Sequence, residues 1–121
     1  MSKVILIVEI DDLSMKLIAD VLEAGGYETV QTRNSRDALE RARHCPPDLI
    51  VIDIHQPGLS DIDIKRALES EVSLKGIPLI ATTPFARRED EVWVHTDCCD
   101  GFIPQPISVS NILDTVASFL H

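Results

Sequence analysis

The stretch "VILIVEIDDLS" (Val4–Ser14) decides how this chain is read. Its first five residues form an unbroken apolar run, the mark of a strand buried on both faces rather than one with a wet side. Glu9, Asp11 and Asp12 follow at once. Carboxylates crowded at one strand exit repel each other, so a cluster there points to a site with chemistry to perform. Ile10 stands in the middle of it, and that placement is the anomaly to explain.

Outward from this strand, the apolar period switches between strand and helix. Leu13, Leu17 and Val21, with Ile18 and Leu22, recur at helical spacing until Gly25-Gly26 stops the run. "YETVQT" (27–32) reads as a more polar strand suited to a sheet edge. Asn34 or Ser35 is a plausible cap for a helix carrying Ala38, Leu39 and Ala42. Pro46-Pro47 ends that helix, and "DLIVIDI" (48–54) is a second buried strand. A turn at Pro57-Gly58 leads to a helix with Ile62, Ile64, Ala67 and Leu68. "IPLIAT" (77–82) is the fourth strand, Arg88 to Thr96 a weakly patterned helix, and "GFIP" (101–104) the fifth strand. Ser108 or Ser110 then caps a last helix with the stripe Ile112, Leu113, Val116, Phe119 and Leu120.

Five βα repeats predict an α/β fold with a parallel sheet and helices on both faces, since parallel neighbours need crossover connections. The flavodoxin-like order 2-1-3-4-5 suits the polar second strand at an edge. Such sheets hold their site at the C-terminal strand ends, beside the switch point between strands one and three. One domain over residues 1–121, without an output domain, is expected.

Composition narrows the function. The net charge is −9, from 20 acidic and 11 basic residues, which opposes nucleic-acid binding. No apolar stretch approaches the length of a membrane span and no leader precedes the first strand, so a cytoplasmic protein is expected. Three cysteines, Cys45, Cys98 and Cys99, make no disulfide framework, and the four histidines lack the spacing of a helical zinc site.

"LSMKLI" (13–18), "YETVQTRN" (27–34), "PDLIVIDIHQP" (47–57) and "PISV" (106–109) occur in order along the chain. In these motifs the sequence resembles the receiver domain of two-component response regulators, most of all the DivK-type regulators of cell division. The resemblance implies phosphorelay signalling, in which an aspartate accepts a phosphoryl group from a kinase histidine. It places the acceptor at Asp53. It implies a Mg²⁺ ion held by Asp53, by an acidic pair after strand one and by the backbone carbonyl of His55. Oxygen donors beside a phosphoryl group are what Mg²⁺ prefers. Thr83 matches the switch threonine and Phe102 the switch aromatic.

Three positions depart from the implied pattern. Glu9 matches the first acid of the pair, but Ile10 stands in place of the second, an acidic metal ligand. Asp11 is a candidate substitute, although strand alternation turns it away. Pro84 replaces a small residue whose N–H holds the phosphoryl group, and proline has no N–H. Gln105 stands in place of a lysine, while Pro106 is retained. All three changes strike groups serving the same metal and phosphoryl oxygens. Mg²⁺ binding is therefore expected to be weak or absent, and Asp53 phosphorylation impaired.

The favoured reading is a stand-alone, atypical receiver, or pseudo-receiver, that works by protein contact. Its partner would be a sensor histidine kinase or another two-component protein, and it would be a monomer or weak dimer with no membrane insertion. The alternative is a conventional switch modified at Asp53 by a sensor histidine kinase with Mg²⁺. A flavin-binding or hydrolytic enzyme has little support, because there is no Gly-rich loop after strand one and no G-x-S-x-G. Candidate contact surfaces are the first-helix face with Leu13, Met15 and Lys16, and the region from Arg88 to Phe102 with Trp93 and Val94.

Overall fold

Period-two and period-3.6 segments alternate in the structure as they do in the sequence. The computed structural model describes residues 2–53, 66–83, 100–104 and 108–120. Its strands are β1 (Val4–Val8), β2 (Glu28–Thr32), β3 (Leu49–Asp53), β4 (Leu79–Thr83) and β5 (Gly101–Pro104). They form one sheet in the order β2-β1-β3-β4-β5, and every pairing is parallel. The described helices longer than one turn are α1 (Asp12–Ala24), α2 (Ser35–His44) and α3 (Val109–Phe119). Residues 66–69 are also helical, with Leu68 buried. The helix expected over Arg88 to Thr96, and the positions Trp93 and Val94, lie outside the described residues.

Each face of the sheet has its own apolar layer. Ile5, Ile7, Val51, Ile80 and Ile103 face α1 and α3, where Met15, Ile18, Leu22, Ile112 and Val116 meet them. Leu6, Val8, Ile50, Ile52 and Ala81 face the other way, against Ala38, Leu39 and Ala42 of α2. Strand alternation alone produces this division, and burial on both sides is why β1 and β3 read as continuous apolar runs.

The helix starts are capped by side chains. Asp11, Asn34 and Ser108 are the N-caps of α1, α2 and α3, accepting from the N–H groups of Ser14, Asp37 and Asn111. Each satisfies an otherwise orphaned donor in a first turn. Past the end of α1, Gly26 has φ +95°, a conformation that a side chain would strain. At the opposite edge from the candidate site, aspartates tie the strand starts. Asp48 accepts from Val4 N–H at 2.7 Å and donates its own N–H to Val4 O, and Asp100 does the same with Leu79.

One expectation about α1 is corrected. Leu13 and Leu17, set at helical spacing with Ile18, Val21 and Leu22, are exposed at 79% and 40%, and for Leu13 this agrees with its place among the candidate contact residues. The inward stripe is Met15, Ile18, Ala19 and Leu22, offset from that pair by about half a turn. Met15, expected on a contact surface, is therefore a core residue. Lys16 is exposed and pairs with Asp20 at 3.0 Å.

Candidate functional site

Because all five strands run the same way, their exits share one edge. The register fixes the neighbours there: Val8 is level with Ile52, Asp53 with Thr82, and Thr83 with Pro104. Glu9 follows β1, Asp53 closes β3 and Thr83 closes β4. Of the residues singled out from the sequence, these are brought to a common edge. Phe102 is in β5, level with Ala81. His55, Pro84, Gln105 and Pro106 lie outside the described residues.

The β1 exit is firmly held. Glu9 N–H donates to Thr32 O at 3.0 Å, and Thr32 Oγ1 donates to Ile7 O at 2.8 Å, so the ends of β1 and β2 are locked together. The Glu9 side chain is buried, and its Oε2 accepts from Asp11 N–H at 3.1 Å. A carboxylate taken out of water needs such donors to remain stable there.

Ile10 is different. It is 53% exposed, so half of an isoleucine faces water immediately beside a buried glutamate. Arg33, at the end of the β2 side, reaches over this loop. Its guanidinium donates to Ile10 O at 3.2 Å and pairs with Asp12. Nothing in the sequence singled out Arg33 for this position, because the contact joins residues far apart in the chain.

Asp11 has a definite role of its own. Its Oδ2 accepts from Ser14 N–H at 2.9 Å as the α1 N-cap. Hydrogen bonds from Ser14, the backbone one foremost, hold its pKa below the ordinary aspartate value. The cap takes Oδ2, which leaves Oδ1 as the oxygen it could turn to a metal.

Oxygen chemistry at this edge bears on whether a divalent ion fits. Glu9 and Asp53 stand at adjoining strand exits, and both are of a residue type that suits a hard cation. Ile10 contributes no side-chain oxygen, and one oxygen of the Asp11 carboxylate is engaged at the start of α1. The fit is thus partial, one carboxylate short of an acidic pair with an acceptor. A further polar group lies beneath the edge. Thr82 is wholly buried, and sequence reading passed over it in favour of Thr83.

Comparison with known proteins agrees with this architecture. The response regulator receiver domain model matches residues 5–117. The polar-differentiation response regulator DivK of Brucella anthropi is 42% identical over 120 residues, covering 99% of this chain and 98% of that protein. DivK of Brucella abortus matches equally well over the same spans. Among solved structures, the chemotaxis response regulator CheY4 of Vibrio cholerae superposes with a TM-score of 0.89 at 20% identity, covering 99% of this chain and all of that one. The receiver domain of the sensor histidine kinase PA1611 from Pseudomonas aeruginosa, which has a magnesium ion in its active-site cleft, gives a TM-score of 0.87 at 19% identity, with 98% of each chain covered. By its fold, its motifs and its relatives, the chain belongs to the response regulator receiver domain family of two-component signalling.

Proposed function

We propose that this receiver signals chiefly through contact with another two-component protein, a sensor histidine kinase by preference, and that phosphorylation of Asp53 is impaired. Exposure of Ile10 is the observation that carries this reading. An isoleucine recruited to improve packing would be covered. This one is half in water, at the position where the family pattern calls for an acidic metal ligand. Engagement of Asp11 as the α1 cap adds support, because one oxygen of the nearest replacement carboxylate is already in use.

A catalytic metal contributes several kcal/mol of charge stabilisation in phosphoryl transfer. A charge-assisted hydrogen bond of the lysine type is worth roughly 1.5–3 kcal/mol. With Ile10 and Gln105 in place of an acid and a lysine, transfer to Asp53 is expected to be slower by about two orders of magnitude or more. Mg²⁺, when bound, would neutralise charge on the phosphoryl oxygens. Glu9, Asp53 and the His55 carbonyl would be its protein ligands, and it would be held weakly.

The contact surface in this reading is the outward side of α1. Leu13 and Leu17 are one helical turn apart and exposed, Ile10 precedes them, and Asp11, Asp12, Lys16 and Asp20 supply polar surroundings. Exposed apolar side chains at helical spacing are a common means of docking on a partner helix.

The test is to incubate the protein with acetyl phosphate and Mg²⁺ and to weigh it intact. Little or no phosphorylated species is expected over times that saturate an ordinary receiver. Ready labelling at Asp53 would overturn the reading and leave the conventional switch.

A further inference from the structure

Among the described residues two threonines of the sheet, Thr32 and Thr82, are wholly or nearly buried, and they differ in one respect. Thr32, 6% exposed, donates its hydroxyl to Ile7 O at 2.8 Å. Thr82, 0% exposed, has an Oγ1 with no hydrogen-bond partner among the described residues. An unmet hydroxyl in a core is destabilising, and valine would fill the same volume without that cost. Packing therefore gives no reason for threonine at this position.

Its place in the sheet supplies one. Thr82 is level with Asp53 on β3 and with Ile103 on β5. By alternation it shares a face with Ile80, the layer that also holds Ile7, Val51 and Ile103. In β1, β3, β4 and β5 the described residues of that layer are aliphatic up to the last row. That row is polar in three of the four strands, with Glu9 after β1, Asp53 in β3 and Thr82 in β4, and stays aliphatic in β5 at Ile103. A lone hydroxyl donor thus sits one strand from the aspartate around which the site is read.

We propose that Thr82 is a hydrogen-bond donor of this site, its hydroxyl meeting an oxygen atom held against Asp53. That oxygen belongs to a phosphoryl-like group; a water of a divalent cation's shell has its lone pair on the metal and would donate to the Thr82 hydroxyl instead. This assignment rests on the reading of Asp53 as the centre of the site. It also gives Thr82 a purpose in this chain, where Pro84 has no N–H to offer and Gln105 replaces a charged donor. Thr82 acts as a positioning residue that makes up part of a depleted donor set.

The experiment compares wild type, Thr82→Val and Thr82→Ser, each also in an Ile10→Asp/Pro84→Ala/Gln105→Lys background. Urea denaturation is measured without ligand. Binding is titrated with Mg²⁺ alone and with Mg²⁺ plus beryllofluoride. Ligand-free Thr82→Val is expected to be at least as stable as wild type, since it loses an unpartnered hydroxyl. Its affinity should fall about tenfold, the size of one hydrogen bond to a charged group, with Thr82→Ser recovering most of the loss. A loss confined to beryllofluoride assigns the oxygen to the phosphoryl-like group; a loss of the same size with Mg²⁺ alone overturns the donor assignment. Unchanged affinity of Thr82→Val in every background that binds overturns the proposal, as does failure of both backgrounds to bind either probe. A clear loss of ligand-free stability in Thr82→Val also overturns it, because the hydroxyl would then have an internal partner. Ready labelling of wild type by acetyl phosphate would refute impaired phosphorylation and leave these comparisons to decide Thr82 on their own.

Discussion

Asp11 holds the first turn of α1 through the Ser14 N–H, and that bond keeps its carboxyl ionised to lower pH than an ordinary aspartate. A folded pKa below the unfolded one means that the cap's contribution is whole at neutral pH. It is lost as pH falls through the lowered folded value. Asp11→Ala should therefore lower the urea midpoint at neutral pH, and the gap from wild type should close in acid below the aspartate range. A gap that persists in acid would contradict the cap assignment. Ile10 gives the complementary case. Ile10→Asp should strengthen Mg²⁺ binding by about tenfold or more, as a second carboxylate enters the donor set, and calorimetry would measure it. The acidic exit of β1 and the odd isoleucine were legible in the sequence, as was the match of Glu9, Asp53 and Thr83 to a family pattern. Which task Asp11 performs was not, because cap and ligand demand the same side chain. Arg33 and Thr82 were also hidden, since their significance comes from neighbours distant in the chain.

At the scale of elements, α1 separates two roles that its sequence blends. Eight of its residues are apolar, too many for one narrow stripe, so periodicity admits more than one inward face. The sheet chooses the face with Met15, Ile18 and Leu22 and leaves Leu13 and Leu17 outside. Met15→Ala should cost about 2–5 kcal/mol as a core truncation. Leu13→Ala should change stability by no more than about 0.5 kcal/mol, while weakening partner binding. Paired urea melts would show the contrast, and equal losses would contradict the assignment. The strand starts make a second prediction. Asp48 closes a two-bond tie to Val4 between β3 and β1, so Asp48→Ala should destabilise by about 1–3 kcal/mol. Hydrogen exchange should report the loosening at the start of β1. Strand identities and order were legible because burial on both faces leaves continuous apolar runs, and the polar β2 had only an edge to occupy. The aspartate ties were not legible, since a strand-flanking Asp looks like any loop residue.

Across the whole molecule, the parallel sheet does the work of assembly. It brings the exits of β1, β3 and β4 to one edge, so Glu9, Asp53 and Thr83, scattered through the sequence, come to neighbouring strand ends. No described helix is long and apolar enough to cross a membrane. With a net charge of −9, long-range attraction favours a partner surface rich in Lys and Arg. The central claim is that the receiver fold is kept while its phosphoryl chemistry is weakened at Ile10, Pro84 and Gln105. The most direct measurement is a time course of acetyl phosphate labelling with Mg²⁺, read by intact mass, on wild type beside the Ile10→Asp/Pro84→Ala/Gln105→Lys variant. The account predicts that the variant labels at Asp53 about a hundredfold faster or more while wild type stays largely unmodified. Equal and rapid labelling of both proteins would contradict it.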